Sequence, residues 1–194
     1  MKKIEMIWRE ILDEGINSPL FEQKKLAKKF GFSTSTVFAA LKPLRAIGAV
    51  TVTGRNFKIV NFEKILMFWA THRDLQKDII FQTHIDFASL PAGRQVFEIE
   101  GLVDNKTIYG AYSAARYLLN DFPADYDKVF VYGGAPRFPT VKGQPNFFIL
   151  KKDKFMTGKT TSVSQTFVDL WNLSDWFAKD YLEALKAKFY GRFL

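Results

Sequence analysis

The stretch "LAKKFGFSTSTVFAAL", residues 26–41, narrows most what this chain folds into. Leu26, Ala27 and Phe30 recur at helical spacing, Gly31 suits a left-handed turn, and Ser33 is a natural N-cap for a new helix. Val37, Ala40, Leu41 and Leu44 then repeat the apolar period. Two helices joined by so short a turn predict a helix-turn-helix, in which the first helix braces the second and the second is presented outward. Pro43 disturbs the pattern. Inside a helix it removes the bond to the Ala39 carbonyl, costs ~3 kcal/mol or more, and disfavours α geometry at Lys42. Either the helix ends near Leu41 and a separate turn leads to Gly48, or it bends and continues, held by Leu44 and Ile47. In both cases the disturbance falls behind the first turns.

The flanking sequence extends the pattern. "KIEMIWREILDEG", 3–15, predicts a helix with Ile4, Ile7, Trp8, Ile11 and Leu12 inward and Gly15 at its end. Asn17 or Ser18 is expected to cap the second helix, with Pro19 in its first turn. "AVTVTGRNFKIVNF", 49–62, alternates with period two on both sides of a Gly54–Asn56 turn, which predicts a β-hairpin. "NFEKILMFWATHRDLQ", 61–76, returns to the helical period, with Asn61 as its cap. Over residues 3–62 this order resembles the winged-helix transcriptional regulators. The resemblance implies a DNA-binding domain over 1–62, followed by a connecting helix over 63–76.

In such a domain the outward residues meet DNA. Ser33, Thr34, Ser35 and Thr36 offer hydroxyls to phosphates or base edges, and Phe38 and Ala39 follow on the same side. Ala39 is of a size to touch a thymine methyl. Lys42 and Arg45 lie further along the exposed face. Lys24, Lys25, Lys28 and Lys29 crowd the bracing helix, where phosphate contact is the usual role, and Arg55, Asn56 and Lys58 sit at the hairpin. No outward residue in the two turns after Ser33 is Arg, Asn or Gln, the side chains that read bases bidentately. Affinity is therefore expected to come mostly from phosphates.

From residue 77 to 194 the pattern becomes mixed α/β. "DIIFQTHIDF", "KVFVYGG" and "NFFILKK" predict strands, "VFEIEGLV" is ambiguous, "IYGAYSAARYLLND" predicts a short strand and a helix, and "FPADYD" a turn. The tail from Ser164 predicts long helices, with Phe167, Trp171, Trp176 and Tyr181 in the core and Ser174 with Asp175 as a cap. Asp169 and Arg116 are candidates for a structural ion pair or for part of a binding groove. The fold class expected is thus α/β overall: an N-terminal winged helix-turn-helix, then a mixed α/β domain ending in long helices.

Catalytic signatures are weak. "MTGKTT" lacks the glycine of a phosphate loop, because position 153 is Asp. His72, and His84 with Asp86, would make a sparse metal site, and packing roles are expected instead. Ser113 lacks the flanking glycines of a nucleophile elbow. "YGGAPRF", with Arg137, is expected to be a surface loop rather than an anion cradle. Neither strong strand carries the acidic residues of a metal-dependent nuclease. No enzyme activity, metal or cofactor is expected.

The net charge is +8, and residues 1–75 hold 13 Lys/Arg against 7 Asp/Glu. The excess falls where DNA contact is expected. The chain has no Cys, its longest strongly apolar run, "ILMFWA", is far short of the ~20 residues of a membrane span, and no signal peptide is read at its N-terminus. A cytoplasmic protein without membrane contact is expected.

The words "FWATHRDLQKDIIFQT", "AYSAARYLLNDFPADYDKVFVYG" and "SQTFVDLWNLSDWFAKDYLEAL" resemble the AbiEi-type regulators, the antitoxins of type IV toxin–antitoxin systems. That resemblance implies a repressor that binds repeats in its own promoter as double-stranded DNA. It also implies a nucleotidyltransferase-like toxin as functional partner, whose effect is countered without a demonstrated stable complex. A homodimer is a further expectation. The alternatives are a nuclease or transferase targeted by the winged helix, and a protein-interaction module that binds a toxin directly.

Overall fold

The computed structural model describes residues 1–86, 103–120, 127–134 and 142–190. The chain is mixed α/β and divides into two compact units, one of Met1–Arg73 with the described residues Phe189 and Tyr190, the other Asp74–Lys188.

The first unit runs α1 (Lys3–Gly15), β1 (Leu20–Glu22), α2 (Gln23–Phe30), α3 (Thr34–Ala46), β2 (Val50–Thr53), β3 (Asn56–Ile59) and α4 (Phe62–His72). Ile7, Trp8, Ile11 and Leu12 of α1 are buried against the inward face of α3, whose Val37, Ala40, Leu41 and Leu44 are the residues that the period selects. Ser33 caps α3 by accepting the Thr36 N–H, and Asn61 caps α4 by accepting the Lys64 N–H at 2.8 Å. The antiparallel sheet has the order β1-β3-β2.

Strand β1 is a correction to the sequence reading. Asn17 and Ser18 cap nothing: the second helix begins only at Gln23, after Leu20, Phe21 and Glu22 pair with Lys58, Phe57 and Asn56 of β3. Pro19, which has no N–H to give, stands just before the strand and accepts the Ile59 N–H through its carbonyl at 2.9 Å.

Helix α3 does not stop at Pro43. The Ala39 carbonyl that loses its donor belongs to an exposed residue, where water can satisfy it. The next carbonyl, that of the fully buried Ala40, accepts the Trp8 indole N–H at 2.8 Å. Past Pro43 the helix closes at Gly48, whose φ of 68° permits the Ala49 N–H to return to the Leu44 carbonyl at 2.8 Å. Glu5 of α1 and Arg73, just past α4, form a buried ion pair at 3.1 Å.

The second unit contains β4 (Ile79–Thr83), β5 (Ile108–Gly110), α5 (Ala111–Leu119), β6 (Val129–Tyr132), β7 (Phe147–Leu150), α6 (Val163–Trp171) and α7 (Ala178–Leu185). Its sheet has the order β4-β7-β6-β5, with β6 and β7 parallel and the other pairs antiparallel. Tyr109, Val129, Val131, Phe147 and Ile149 make one core cluster. On α6, Asp169 is fully buried and accepts the Tyr132 hydroxyl at 2.6 Å and the Gln165 amide at 2.7 Å. Arg116 lays its guanidinium over the Tyr117 ring at 4.4 Å.

Three expectations for the tail need correction. The terminal helices are short, at nine and eight residues, with a π-helical turn, Lys186–Tyr190, after the second. Trp171 and Trp176 are 44% and 79% exposed, not core residues, whereas Phe167 and Tyr181 are fully buried. Ser174 and Asp175 do not cap the last helix, because the Asp175 carboxylate is taken by the Tyr112 hydroxyl at 3.0 Å and by the Lys128 ammonium. The segment "VFEIEGLV" except Val103, "FPADYD" except Asp127, and Arg137 lie outside the described residues.

Candidate nucleic-acid interface

The outward side of α3 begins with a small hydroxyl network. The Ser33 Oγ lies 2.7 Å from the Ser35 Oγ and 2.9 Å from the Thr36 Oγ1, and it also accepts the Thr36 N–H. Ser33 and Thr36 are thus occupied in holding the first turn. Thr34, Ser35, Phe38 and Ala39 are exposed, and Lys42 and Arg45 continue the exposed face toward the C-terminal end. The period that buries Val37, Ala40 and Leu41 places these residues together on the other side.

The cations around this helix are of two kinds. Lys25 pairs with Glu22 at 3.3 Å, and Lys29 pairs with Glu10 and Glu14. Burial works against the charge of Lys29, yet Glu10 and then Glu14 hold its pKa above the ordinary lysine value. By contrast Lys24, Lys28, Lys42, Arg45, Arg55 and Lys58 are exposed and form no ion pair among the described residues. Their charge is uncompensated locally. Lys25 and Asn56 also border an open hollow of about 420 Å³ whose walls include Glu10, Glu22, Leu20 and Phe21, a less favourable setting for a phosphate.

The hairpin tip is tied down by a contact that sequence patterns do not reveal. Gln23, the first residue of α2, donates its backbone N–H to the Arg55 carbonyl at 3.0 Å and its side-chain amide to the Gly54 carbonyl at 3.3 Å. Gly54 has a φ of 58°, as the turn requires. At the far end of α3, the Lys64 ammonium donates to the Ile47 carbonyl at 3.0 Å. Trp8, Gln23 and Lys64 therefore position the outward residues, and none was singled out for that role from the sequence.

The residues considered for catalysis have structural surroundings. His72 stacks on Phe68 at 3.9 Å with its Nδ1 2.7 Å from the Phe68 carbonyl, and the His84 Nδ1 lies 2.8 Å from the Gln144 carbonyl. Ser113 is fully buried and its Oγ accepts the Phe130 N–H at 3.3 Å. Lys159 of "MTGKTT" accepts the Tyr109 N–H through its carbonyl at 2.9 Å, four residues before α6 begins. Burial holds the Tyr109 hydroxyl up at about 12, with Tyr117 adding to it. Among the described residues no group of three His, Cys, Asp or Glu is placed to hold a metal, and no helix is long and apolar enough to cross a membrane.

Comparison with protein families, with curated proteins and with solved structures returned no match for this chain.

Proposed function

We propose that Met1–Arg73 is a winged helix that binds duplex DNA, and that the chain is a transcriptional regulator acting on its own promoter. The observation that carries this reading is the α3 face: exposed hydroxyls at its first turn, with six uncompensated cations on α2, α3 and the hairpin. In this reading α3 enters the major groove, α2 braces it, and Arg55 and Lys58 follow the backbone beside it. The order of three helices and a three-stranded antiparallel sheet, β1-β3-β2, supports the assignment. An antitoxin-type repressor of a type IV system, with a nucleotidyltransferase-like toxin as functional partner, is the role we attach to it, on the resemblance of the second half. The chain is read as a regulator, not an enzyme, working in the cytoplasm.

The test is binding of the full chain to its own upstream DNA over a range of salt. Contact by all six cations gives a slope of log K against log salt of about −5, at ~0.9 per phosphate neutralised. Reversal of Lys28, Lys42 and Arg55 to Glu is expected to abolish binding. Salt-insensitive binding, or binding lost only when charges of Asp74–Lys188 are reversed, refutes the assignment. Direct capture of a toxin is the second reading, favoured by Trp176, which stands 79% exposed. Co-purification from the native host separates the two.

A further inference from the structure

The outward face of α3 presents an aromatic side chain where a polar reader would be the ordinary choice. Phe38 is 52% exposed and makes no ring contact with another described residue. Its backbone is fixed, because its neighbours Val37 and Leu41 are locked in the core. Thr34 lies one turn before it, Ala39 beside it and Lys42 one turn after, all exposed. A phenyl ring in water gains free energy only when apolar surface is set against it. The cations Lys42 and Arg45 on the same face of α3, with Lys24 and Lys28 exposed on α2, favour a polyanion as the source of that surface. In the major groove of B-DNA the apolar group on offer is the C5 methyl of thymine.

We propose that Phe38 is a specificity determinant that reads thymine methyl groups, with Ala39 and the methyl of Thr34 completing the apolar contact. This inference rests on the DNA-binding reading above and names what that site selects. The absence of Arg, Asn and Gln from the outward positions of the first two turns leaves methyl contact as the base discrimination that those turns offer. Burial of one methyl is worth about fourfold in affinity, and two about fifteenfold.

The experiment compares two versions of the chain's own upstream DNA, one amplified with thymidine and one with deoxyuridine, which lacks the methyl. Wild type is expected to bind the uridine form about fourfold to fifteenfold more weakly. Phe38→Ser is expected to bind both forms equally, with the salt slope of wild type and an unchanged melting curve. Equal binding of both forms by wild type overturns the inference while leaving DNA binding in place. Discrimination that survives in Phe38→Ser, or a loss of dimer mass in that variant without any thymine effect, also overturns it. If wild type binds neither form, the DNA-binding reading itself fails.

Discussion

Replacement of Trp8 by Phe tests how α3 tolerates Pro43. Trp8 is 2% exposed, and its indole N–H is the donor to the carbonyl of Ala40, which is fully buried. Phe keeps most of the ring and loses that donor. Loss of one hydrogen bond to that carbonyl, which stays within the helical ladder, costs about 0.5–1.5 kcal/mol. The two-ring to one-ring contraction adds about 1 kcal/mol of lost packing. The expected loss is therefore about 1.5–2.5 kcal/mol. Urea unfolding of the full chain, followed by hydrogen exchange of the α1 and α3 amides, reads it out. With m at about 1–2 kcal/mol per molar for a unit of this size, the α1 and α3 midpoint falls by about 0.8–2.5 M. The companion variant, Pro43→Ala, restores an N–H to the Ala39 carbonyl and straightens the hydrogen-bond ladder. If the Ala40 carbonyl is available to Trp8 because Pro43 opens that turn, the cost of Trp8→Phe shrinks by at least about 0.5 kcal/mol in the Pro43→Ala background. A loss below about 1 kcal/mol in wild type, or strict additivity of the pair, refutes this account.

Arg73→Met strands the Glu5 carboxylate in a buried site and is expected to cost about 3–5 kcal/mol, much of it recovered by Glu5→Leu on the same chain; thermal melts of the single and double variants check this. Gly110→Ala places a Cβ 2.7 Å from the Tyr132 ring, so a destabilisation of about 1–3 kcal/mol and a lower melting temperature are expected. Tyr132→Phe removes the hydroxyl donor to buried Asp169 and should cost about 1–3 kcal/mol in urea titration. Trp176→Ser changes a residue that is mostly in water and should leave stability within about 0.5 kcal/mol, while a toxin-capture assay would lose signal if that surface holds a partner.

What the sequence revealed was local. The four inward residues of α3 and the caps at Ser33 and Asn61 depend on spacings of a few residues, and each stands where its spacing placed it. The features it hid depend on distant partners. β1 is three residues long and exists because β3, more than thirty residues later, offers its edge; nothing in "LFE" announces a strand. The Trp8–Ala40 hydrogen bond and the Glu5–Arg73 pair are equally invisible to periodicity. Asp175 looked like a cap because caps are local, and it was diverted by Tyr112 and Lys128 from elsewhere in the chain. Trp171 and Trp176 looked like core because they are large and apolar, yet Trp171, at the last position of α6, and Trp176, between α6 and α7, stand exposed. For the candidate interface, the exposed side of α3 was legible from its apolar complement. Which lysines keep their charge uncompensated was not, since that depends on where Glu10, Glu14 and Glu22 come to lie.

The Gln23 tie between α2 and the hairpin turn has a thermodynamic consequence. Because one residue closes both the start of the helix and the tip of the hairpin, the two move as one piece. A ligand that settles on the tip finds it already ordered. Little chain entropy is then lost on contact, and the heat-capacity change of association should reflect the surface covered rather than any coupled folding.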